Sequence, residues 1–439
     1  MTPPHTHDVV VVGASIAGSA TATLFARAGA RVALVERDPD PEAYKVACTH
    51  FLLASAVPVL DRLGVTDAMR AAGAVPNEIH IHTRWGWLRP TLKGAPAGHG
   101  YNLRRSVLDP LLRRTAAAEP GVDLLLGHTI EHLVRGDGRV AGVVARTRTV
   151  ERTELRAPLV VGADGRASKT ADLAELPKRV KPHGRFSFFA HFRDLELATG
   201  SVSQMWLREP DVAYAFPNDA GVTVLCVMPA LARLPEFRAD MQGAFAREFA
   251  GLPDAPDLRA ARQVSPIMGK VALPNVTRRA AAPGIALVGD AAMASDPLWG
   301  PGGSFALQAA EMLAREAAPA LGDPRRLDHA LDRYRRAHRR RFGAHHFLMA
   351  DFSTGRPYNV VDRLMLHSAV VDERCADHFA AYGGRVISVS RFLAPAALAR
   401  AGMAIARSGR EHRRAQAAAA EPAAERRGGE RASEAPARP

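Results

Sequence analysis

A glycine-rich turn near the N-terminus is followed by an acidic residue at the spacing that binds a dinucleotide. Gly13 follows the apolar run Val9–Val12, and Gly18 comes five residues later. Glu36 ends the next apolar run. This pattern predicts a strand, a tight turn, a helix and a second strand. In such a unit the turn and the helix N-terminus bind a pyrophosphate, and the acidic residue at the end of the second strand binds ribose hydroxyls. Ser15 replaces the usual second glycine, but its side chain is small enough for the backbone to approach the phosphate. The predicted cofactor contacts in this unit are Gly13, Ser15, Ile16, Ala17, Gly18, Glu36 and Arg37.

Two later segments carry further glycine and aspartate motifs. Residues 162–168 read Gly-Ala-Asp-Gly-Arg-Ala-Ser, and residues 289–306 begin with Gly-Asp-Ala-Ala and continue to Asp-Pro-Leu-Trp-Gly-Pro-Gly-Gly-Ser-Phe-Ala. Together with the first turn, over about residues 8–310, these segments resemble the three fingerprints of the class A flavoprotein monooxygenase superfamily in sequence and in order. This superfamily includes p-hydroxybenzoate-hydroxylase-like and geranylgeranyl-reductase-like enzymes. The resemblance therefore implies FAD as the cofactor and NAD(P)H as a co-substrate.

The resemblance assigns roles to individual residues. Asp290 would bind the ribityl chain of FAD, and Asp164 would organise the pyrophosphate region and support the use of NAD(P)H. Arg105 matches an arginine of the superfamily that contacts the FAD pyrophosphate or ribityl region. The alternative is that Arg105 is an ordinary arginine at a helix N-terminus, and the adjacent Arg104 could then take the cofactor-binding role. Gly302–Gly303 would open a helix whose N–H groups face the flavin pyrimidine edge and stabilise anionic reduced flavin.

Three residues are candidates for the catalytic step. Pro297 and Gly302 belong to the glycine-rich turn at the flavin. His50 follows the Glu36 strand, where the chain approaches the flavin in this fold, and is either a base or substrate-orienting residue or a histidine bonded to backbone or FAD. Ser304, a predicted cofactor contact, stands where the superfamily often has Asn, and Met293 where it often has His, so the substrate geometry is expected to be unusual.

The expected activity is NAD(P)H- and O2-dependent monooxygenation, a hydroxylation or epoxidation, of a small molecule. The main alternative is a geranylgeranyl-reductase-like double-bond reductase, because that group shares the Arg-x-x-x-Asp pattern of residues 105–109. A flavin-dependent halogenase is less favoured: Trp85-Gly86-Trp87-Leu88-Arg89-Pro90 resembles the halogenase W-x-W-x-I-P motif but fails at Arg89 and lies too early in the chain. We expect the two tryptophans to face the same side of one strand. A non-enzymatic flavin sensor or scaffold is a further alternative.

The substrate is expected to be a flat aromatic or polyketide-like molecule, because the stretch from residue 186 to 216 is rich in aromatic side chains. By analogy with the superfamily, the reaction would belong to secondary metabolism, such as antibiotic biosynthesis. The aromatic residues are Phe186, Phe188, Phe189, Phe192, Trp206, Tyr214 and Phe216.

The fold class is predicted to be α/β, with a Rossmann-like FAD-binding domain interrupted by an antiparallel-sheet substrate domain and followed by a helical C-terminal region. Gly136-Asp137-Gly138 predicts a hairpin, and residues 79–92 alternate like a strand. The tail has few large apolar residues and is expected to be disordered. The predicted divisions are FAD-binding parts at 1–78, 100–180 and 276–345, substrate-domain parts at 79–99 and 181–275, C-terminal helices at 346–407 and the tail at 408–439.

Composition limits the other classes of function. The chain has 439 residues, a formal charge of +13 and 47% hydrophobic residues. The excess arginine is spread along the chain without interleaved aromatic residues, which argues against nucleic-acid binding. The three cysteines are widely spaced, and no set of residues has metal-ligand spacing, so neither disulfides nor a metal is expected. We expect a cytoplasmic monomer or homodimer without an integral membrane segment.

Overall fold

The structure is a computed structural model that describes residues 7–91 and 98–420. The strands in these ranges are β1 Val9–Val12, β2 Val32–Val35, β3 Phe51–Leu52, β4 Val75–Asn77, β5 Ile79–Thr83, β6 Gly86–Leu88, β7 Gly100–Asn102, β8 Val122–Leu125, β9 Thr129–Gly136, β10 Arg139–Arg146, β11 Arg152–Arg156, β12 Leu159–Gly162, β13 Lys178–Lys181, β14 Ser187–Arg193, β15 Ser203–Arg208, β16 Asp211–Pro217, β17 Thr223–Met228, β18 Arg262–Gln263, β19 Met268–Lys270, β20 Asn275–Arg278, β21 Ala281–Ala282, β22 Ile285–Leu287 and β23 Met293–Ala294. The α-helices are α1 Ile16–Arg27, α2 Val57–Leu63, α3 Thr66–Ala71, α4 Arg105–Ala117, α5 Lys169–Leu173, α6 Leu234–Ala239, α7 Met241–Arg247, α8 Pro301–Ala317, α9 Pro324–Phe352, α10 Val360–Val371, α11 Glu373–Gly383, α12 Val389–Phe392 and α13 Pro395–Ala420.

The first sheet has six strands in the order β21-β22-β12-β1-β2-β8, of which all but β21 are parallel. β1 and β2 consist of Val, Ala and Leu and are fully buried, as expected for strands covered on both faces. Helices α1, α4 and α8 contribute to the hydrophobic core on one face. The hairpin sheet β11-β10-β9, which contains the predicted turn at residues 136–138, packs on the other face.

The second sheet has eight strands, in the order β18-β14-β17-β16-β15-β5-β6 with β19 beside β14. It is mainly antiparallel, because only β15 and β5 run parallel. Helices α6 and α7 cover one face, and α10, α11 and α13 cover the other. The predicted fold class, with its helical C-terminal region, is confirmed. The single strand predicted over 79–92 is wrong for residues 79–88, because these form the hairpin of β5 and β6.

The two tryptophans of that hairpin face opposite sides of the sheet, contrary to prediction. Trp85 lies in the turn and stacks on His367 of α10 at a centroid distance of 5.4 Å. Trp87 lies on β6 and meets Trp206 edge-on at 6.0 Å, in the core under α6 and α7. The alternation of a strand does not apply to Trp85 because that residue belongs to a turn. The prediction that the two tryptophans form one apolar wall is therefore wrong.

The C-terminal region corrects two further predictions. Helix α13 continues to Ala420, so the disordered tail predicted from residue 408 is wrong for residues 408–420; the rest of that tail, 421–439, lies outside the described residues. Alanine, which occupies five of the last six positions of this helix, is the strongest helix former even though it offers little surface for a core. The division predicted between residues 345 and 346 falls inside the single helix α9.

One stretch of the described chain is long and apolar enough, by length and composition, to span a membrane. It covers α12 and α13, from Val389 to Arg414, with a mean hydropathy of 1.2 in its most apolar window. Ala401 and Ala404 of this stretch belong to the same buried core as residues of α10 and α11, and Ala397 is also buried.

Candidate active site

The glycine turn between β1 and α1 requires both of its glycines. Gly13 has φ +100°, and a Cβ atom there would lie 2.7 Å from the carbonyl oxygen of Ala163. A Cβ atom on Gly18 would lie 1.6 Å from the carbonyl oxygen of Gly13. The first turn of α1 carries no acidic side chain, and Ser15 makes no capping hydrogen bond to it. The N-terminus of α1, which includes the predicted contacts Ile16 and Ala17, is therefore suited to an anion.

Glu36 lies directly on this turn. Its Oε2 accepts a hydrogen bond from the Ala14 N–H at 2.8 Å, and its Oε1 accepts one from the Asp38 N–H at 3.0 Å. The carboxylate is half-buried at the end of β2, at the position where a ribose would be bound. Arg37, the next predicted contact, is exposed.

Arg105 joins the glycine turn to helix α4. Its Nη2 donates to Ser15 Oγ at 2.7 Å, and its Nε and Nη2 bind both carboxylate oxygens of Asp109 at 2.7 and 2.8 Å. Burial alone would lower the pKa of this guanidinium, but the Asp109 carboxylate raises it above its usual value. The Arg104 side chain does not reach the glycine turn, because its guanidinium and its backbone N–H both donate to the carboxylate of Asp219, just before β17. The structure thus brings Arg105, and not Arg104, to the predicted pyrophosphate position.

Lys45 is a site residue that sequence reasoning missed. Its Nζ lies 3.2 Å from Oδ2 of Asp290, and its backbone N–H donates to Asp109 at 3.0 Å. Burial would raise the pKa of Asp290, but Lys45 and Arg166 outweigh it and lower that pKa. One signal was present in the sequence, since Lys45 is the only lysine in the first 92 residues. The loop after β2 therefore links the glycine turn to the carboxylate predicted to hold the ribityl chain.

The turn before α8 is closed by the segment Phe51–Leu53. Gly300 has φ +55°, and a Cβ atom there would lie 1.9 Å from the ring of Phe51. Ser304 Oγ accepts the Leu53 N–H at 2.9 Å. Gly302 faces Asp290, because a Cβ atom on it would lie 3.6 Å from Oδ1 of that residue.

The neighbouring Gly303 is also crowded by this segment, since a Cβ atom on it would lie 2.6 Å from Leu52 Cδ2. The close contacts of Gly300 and Gly303 with residues 51–53 hold the N-terminus of α8 against β3. Its first N–H groups therefore lie at the cofactor cleft. Met293, the other departure from the superfamily pattern, is buried in β23.

Asp296 anchors this turn to the second sheet and was not singled out from the sequence. Its Oδ2 lies 2.8 Å from Arg185 Nη2 and 3.0 Å from His183 Nε2, and its Oδ1 accepts the Leu298 N–H at 2.7 Å. Burial opposes ionisation, yet Arg185 and His183 lower the pKa of Asp296 to about 2. The ionised carboxylate therefore fixes the backbone on either side of Pro297.

His50 is buried between the cofactor cleft and the second sheet, in a left-handed backbone conformation with φ +63°. Its Nδ1 accepts the Arg105 N–H at 3.0 Å, so the proton is on Nε2, which lies 3.0 Å from Nε2 of His191. Burial, followed by the charges of His191 and Arg105, holds the pKa of His50 well below its usual value. Both ring nitrogens are engaged, so this neutral histidine is arranged for positioning more than for taking a proton.

Asp164 organises the turn after β12. It accepts hydrogen bonds from the Thr170 N–H at 2.8 Å and from the Thr170 hydroxyl at 2.9 Å, and Ser168 Oγ lies 2.5 Å from it. Its Cα would lie 3.2 Å from a Cβ atom on Gly13, so this turn packs directly against the glycine turn. The geometry supports an organising role, and the link to NAD(P)H stays a prediction.

A pocket that is partly open to solvent lies between β3, the second sheet, the turn before α8 and helix α11. None of the seven aromatic residues predicted to face a substrate belongs to its lining. Phe186, Phe188, Phe192 and Trp206 pack under α6 and α7, while the others fill the core on the opposite face. The pocket lining includes Phe51, Ile79, Leu88, Met205, Trp299 and Phe379.

The described residues contain no group of three side chains that could hold a metal ion. Cys48, Cys226 and Cys375 are free thiols. Burial raises the pKa of Cys226 to about 12, so this thiol is protonated.

The parallel sheet, the glycine turn with Glu36, and the turn that opens α8 beside Asp290 together define an FAD-binding oxidoreductase. A family model described as an FAD binding domain matches residues 6–346, which is more than half of the chain. The protein therefore belongs to this FAD-binding family, within the class A flavoprotein monooxygenase superfamily.

Curated relatives carry different activities. Protein FixC of Escherichia coli K12 is 30% identical over 180 residues, which are 40% of this chain and 40% of FixC, so the chain spans about two fifths of the length of the first curated relatives it matches. Digeranylgeranylglycerophospholipid reductase 2 of Methanothermobacter thermautotrophicus is 28% identical over 355 residues, 77% of this chain and 84% of the reductase. Kynurenine 3-monooxygenase of Salinispora arenicola is 28% identical over 328 residues, 68% of this chain and 70% of that enzyme.

Solved structures show the same fold. The myxobacterial chondrochloren halogenase CndH superposes with a TM-score of 0.70 at 20% identity, covering 87% of this chain and 98% of the halogenase. PqsL, a probable FAD-dependent monooxygenase from Pseudomonas aeruginosa, gives a TM-score of 0.63 at 21% identity, covering 80% of this chain and 98% of PqsL. At these identities the likeness establishes the architecture alone.

Proposed function

We propose that this protein is an NAD(P)H- and O2-dependent FAD monooxygenase that hydroxylates or epoxidises a small aromatic or polyketide-like molecule in cytoplasmic secondary metabolism, such as antibiotic biosynthesis. The observation that carries the proposal is the position of the pocket. Leu298 and Trp299 line it, and they directly precede the Gly300 turn that opens α8. A molecule in this pocket would therefore lie against the predicted flavin edge.

The residues present fit FAD. The N-terminus of α1 and the Arg105 guanidinium would hold the pyrophosphate, Glu36 a ribose, and Asp290 the ribityl hydroxyls, while Lys45 balances the charge of that carboxylate. Bound flavin would supply the electron transfer from NAD(P)H and the activation of O2.

The protein would contribute positioning and the exclusion of water. The first N–H groups of α8, at Gly302 and Gly303, would stabilise negative charge on the pyrimidine edge of the flavin. Pro297, held by ionised Asp296, would fix the adjacent turn. The apolar wall of the pocket would keep water from the reacting atoms. His50 would hold Arg105 in place through its backbone N–H.

We propose that Asp164, next to the glycine turn, also supports reaction with NAD(P)H, and that the protein acts as a monomer or homodimer.

The FAD-binding domain would comprise the parts around the parallel sheet, at 1–78, 100–180 and 276–345, and the substrate domain the parts at 79–99 and 181–275. Joining the parts 79–99 and 181–275 through a linker and expressing them alone would test this division, because a separate substrate domain would keep its own cooperative unfolding transition.

A double-bond reductase is the second candidate. The digeranylgeranylglycerophospholipid reductase matches this chain over 84% of its own length, and the buried pair of Arg105 and Asp109 belongs to the pattern shared with such enzymes. The two activities differ in their need for oxygen, since a reductase converts its substrate anaerobically.

The test is a turnover experiment with purified FAD-loaded protein, NADH or NADPH, and a panel of polycyclic phenols and polyenes. We expect substrate-dependent oxidation of the nicotinamide cofactor and incorporation of one atom of ¹⁸O from ¹⁸O2 into the product. A product saturated at a double bond and formed without O2 would replace the monooxygenase with the reductase. A colourless protein that does not bind added FAD would reject both.

A further inference from the structure

The pocket beside the flavin turn differs from the rest of the cleft in its chemistry. The 18 lining residues that belong to the described ranges include no Asp, Glu, Lys or Arg. Met205 and Ile81 of the second sheet are nearly fully buried, with 1% and 4% exposure. Phe379 and Ala380 of α11 form part of the opposite wall.

The described lining of this pocket contains the polar side chains of Asn77 and His99. Asn77 lies on β4, where its register partner on β7 is Gly100, and His99 is the residue before that glycine. Asn77 Nδ2 also contacts the Leu52 carbonyl at 3.4 Å. We call these two residues the polar corner. It offers hydrogen bonds for one or two uncharged groups of a ligand.

A buried cation lies behind the wall of the pocket; its Nη1 contacts residues of α9 and α11, and its Nε has no hydrogen-bond partner among the described residues. Arg385, which is 1% exposed, follows the lining residue Gly384. Its Nη1 lies 3.3 Å from the Tyr382 carbonyl and 3.4 Å from His345 Nδ1, and its guanidinium covers the Tyr382 ring at 4.9 Å. The Arg385 side chain does not line the pocket, so it makes no direct contact with a ligand there.

From this lining we infer that the pocket takes an uncharged, mostly apolar molecule, whose single hydroxyl or carbonyl group meets the polar corner, and that it discriminates against carboxylates and ammonium groups. A charged group moved from water into such a lining loses its hydration without gaining a partner, which is strongly unfavourable. This inference rests on the proposed function, because it assigns the substrate class to the same pocket.

A pair of matched probes tests the inference on oxidised, FAD-loaded protein. Methyl 2-naphthoate and 2-naphthoate share one ring system and differ in charge at pH 7.5. Binding is followed by the perturbation of the flavin absorbance. We expect the ester to bind at least tenfold more tightly than the carboxylate, a difference of about 1.4 kcal/mol. Equal binding, or tighter binding of the carboxylate, would overturn the inference.

Two variants locate the effect in the pocket. Asn77→Lys places a cation at the polar corner and should shift the preference toward the carboxylate by about tenfold, whereas Gln242→Lys on exposed α7 should not. Ala380→Trp, on a half-buried position of α11, should fill the pocket and weaken the binding of the ester by about tenfold without loss of FAD. If Ala380→Trp and Asn77→Lys leave both affinities unchanged, the probes bind elsewhere and the assignment is wrong.

These measurements use neither NAD(P)H nor O2. Failure of the proposed monooxygenation would appear as absent ¹⁸O incorporation while the ester still binds selectively. Failure of the inference would appear as selective binding of the carboxylate by a protein that still reacts with O2.

Discussion

The cofactor cleft and the substrate pocket share the segment Phe51–Leu53 but are built from opposite chemistry. The cleft contains two ion pairs, Arg105 with Asp109 and Lys45 with Asp290, and the Lys45 backbone N–H links them by donating to Asp109, with contacts of 2.7 to 3.2 Å. The pocket, on the far side of that segment, has no charged lining residue in the part of the chain that the structure describes. A fixed anionic cofactor is held by ion pairs and helix termini, whereas the pocket selects a ligand by shape and by its lack of charge. Four substitutions test how strictly the two regions are separated.

The largest effect is expected at the glycine turn. In Gly18→Ala, the new Cβ atom would lie 1.6 Å from the Gly13 carbonyl oxygen, so the turn cannot keep its geometry. We expect loss of FAD retention and a destabilisation of about 3 kcal/mol or more, measured by thermal unfolding and by the flavin-to-protein absorbance ratio. The control is Gly29→Ala, at φ +87° with no atom within 4 Å, where only the backbone strain of about 1 kcal/mol applies. Equal losses in the two variants would show that packing at the turn is unimportant.

Removal of the buried cation in the cleft comes next. Arg105→Met leaves Asp109, which is 0% exposed, without its ion-pair partner. Loss of one member of a buried pair costs about 3–5 kcal/mol, and FAD affinity should fall with it, as measured by urea unfolding and FAD titration. Arg114→Met removes an exposed pair with Glu42 and should cost less than about 1 kcal/mol. An unchanged FAD affinity in Arg105→Met would remove this residue from the cofactor site.

The acid dependence of stability should follow Asp296. Its pKa is lowered to about 2 in the folded protein, so its contribution to stability is complete above pH 4 and is lost as the pH falls toward 2. Because the side chain is 1% exposed, we expect about 2 kcal/mol of pH-dependent stability over this window. Asp296→Asn should lack this component in urea unfolding between pH 4 and 2. Asp67→Asn, whose side chain is 96% exposed, should retain it. A pH slope shared by Asp296→Asn and the parent protein would contradict the assignment.

The smallest effect is expected at the exposed end of the cleft. Lys45 is half-exposed, so its pair with Asp290 is worth less than about 1 kcal/mol, and Lys45→Met should weaken FAD binding by no more than about fivefold. The loss should shrink as salt is added, because salt screens an exposed pair. Lys270→Met, an exposed lysine on β19, serves as the control and should leave FAD binding unchanged. A salt-independent loss would mean that Lys45 acts through packing and not through its charge.

Features that depend on residues close together in the sequence could be predicted, and contacts between residues far apart in the sequence could not. The turn at residues 13–18, the acid at the end of β2 and the hairpin at residues 136–138 each depend on neighbours a few residues away. In contrast, Lys45 meets Asp290 across 245 positions and Arg185 meets Asp296 across 111. The partner of His50, and the placement of the aromatic residues in the cores instead of the pocket, depend in the same way on tertiary packing.

The segment Phe51–Leu53 has a practical consequence for anyone who redesigns this enzyme. Phe51 and Leu53 line the pocket, yet Phe51 also closes on Gly300 and the Leu53 N–H binds Ser304, so any change of their size reaches the flavin turn. Libraries that aim to widen substrate scope should instead vary Ile79 and Ala380, which line other walls of the pocket.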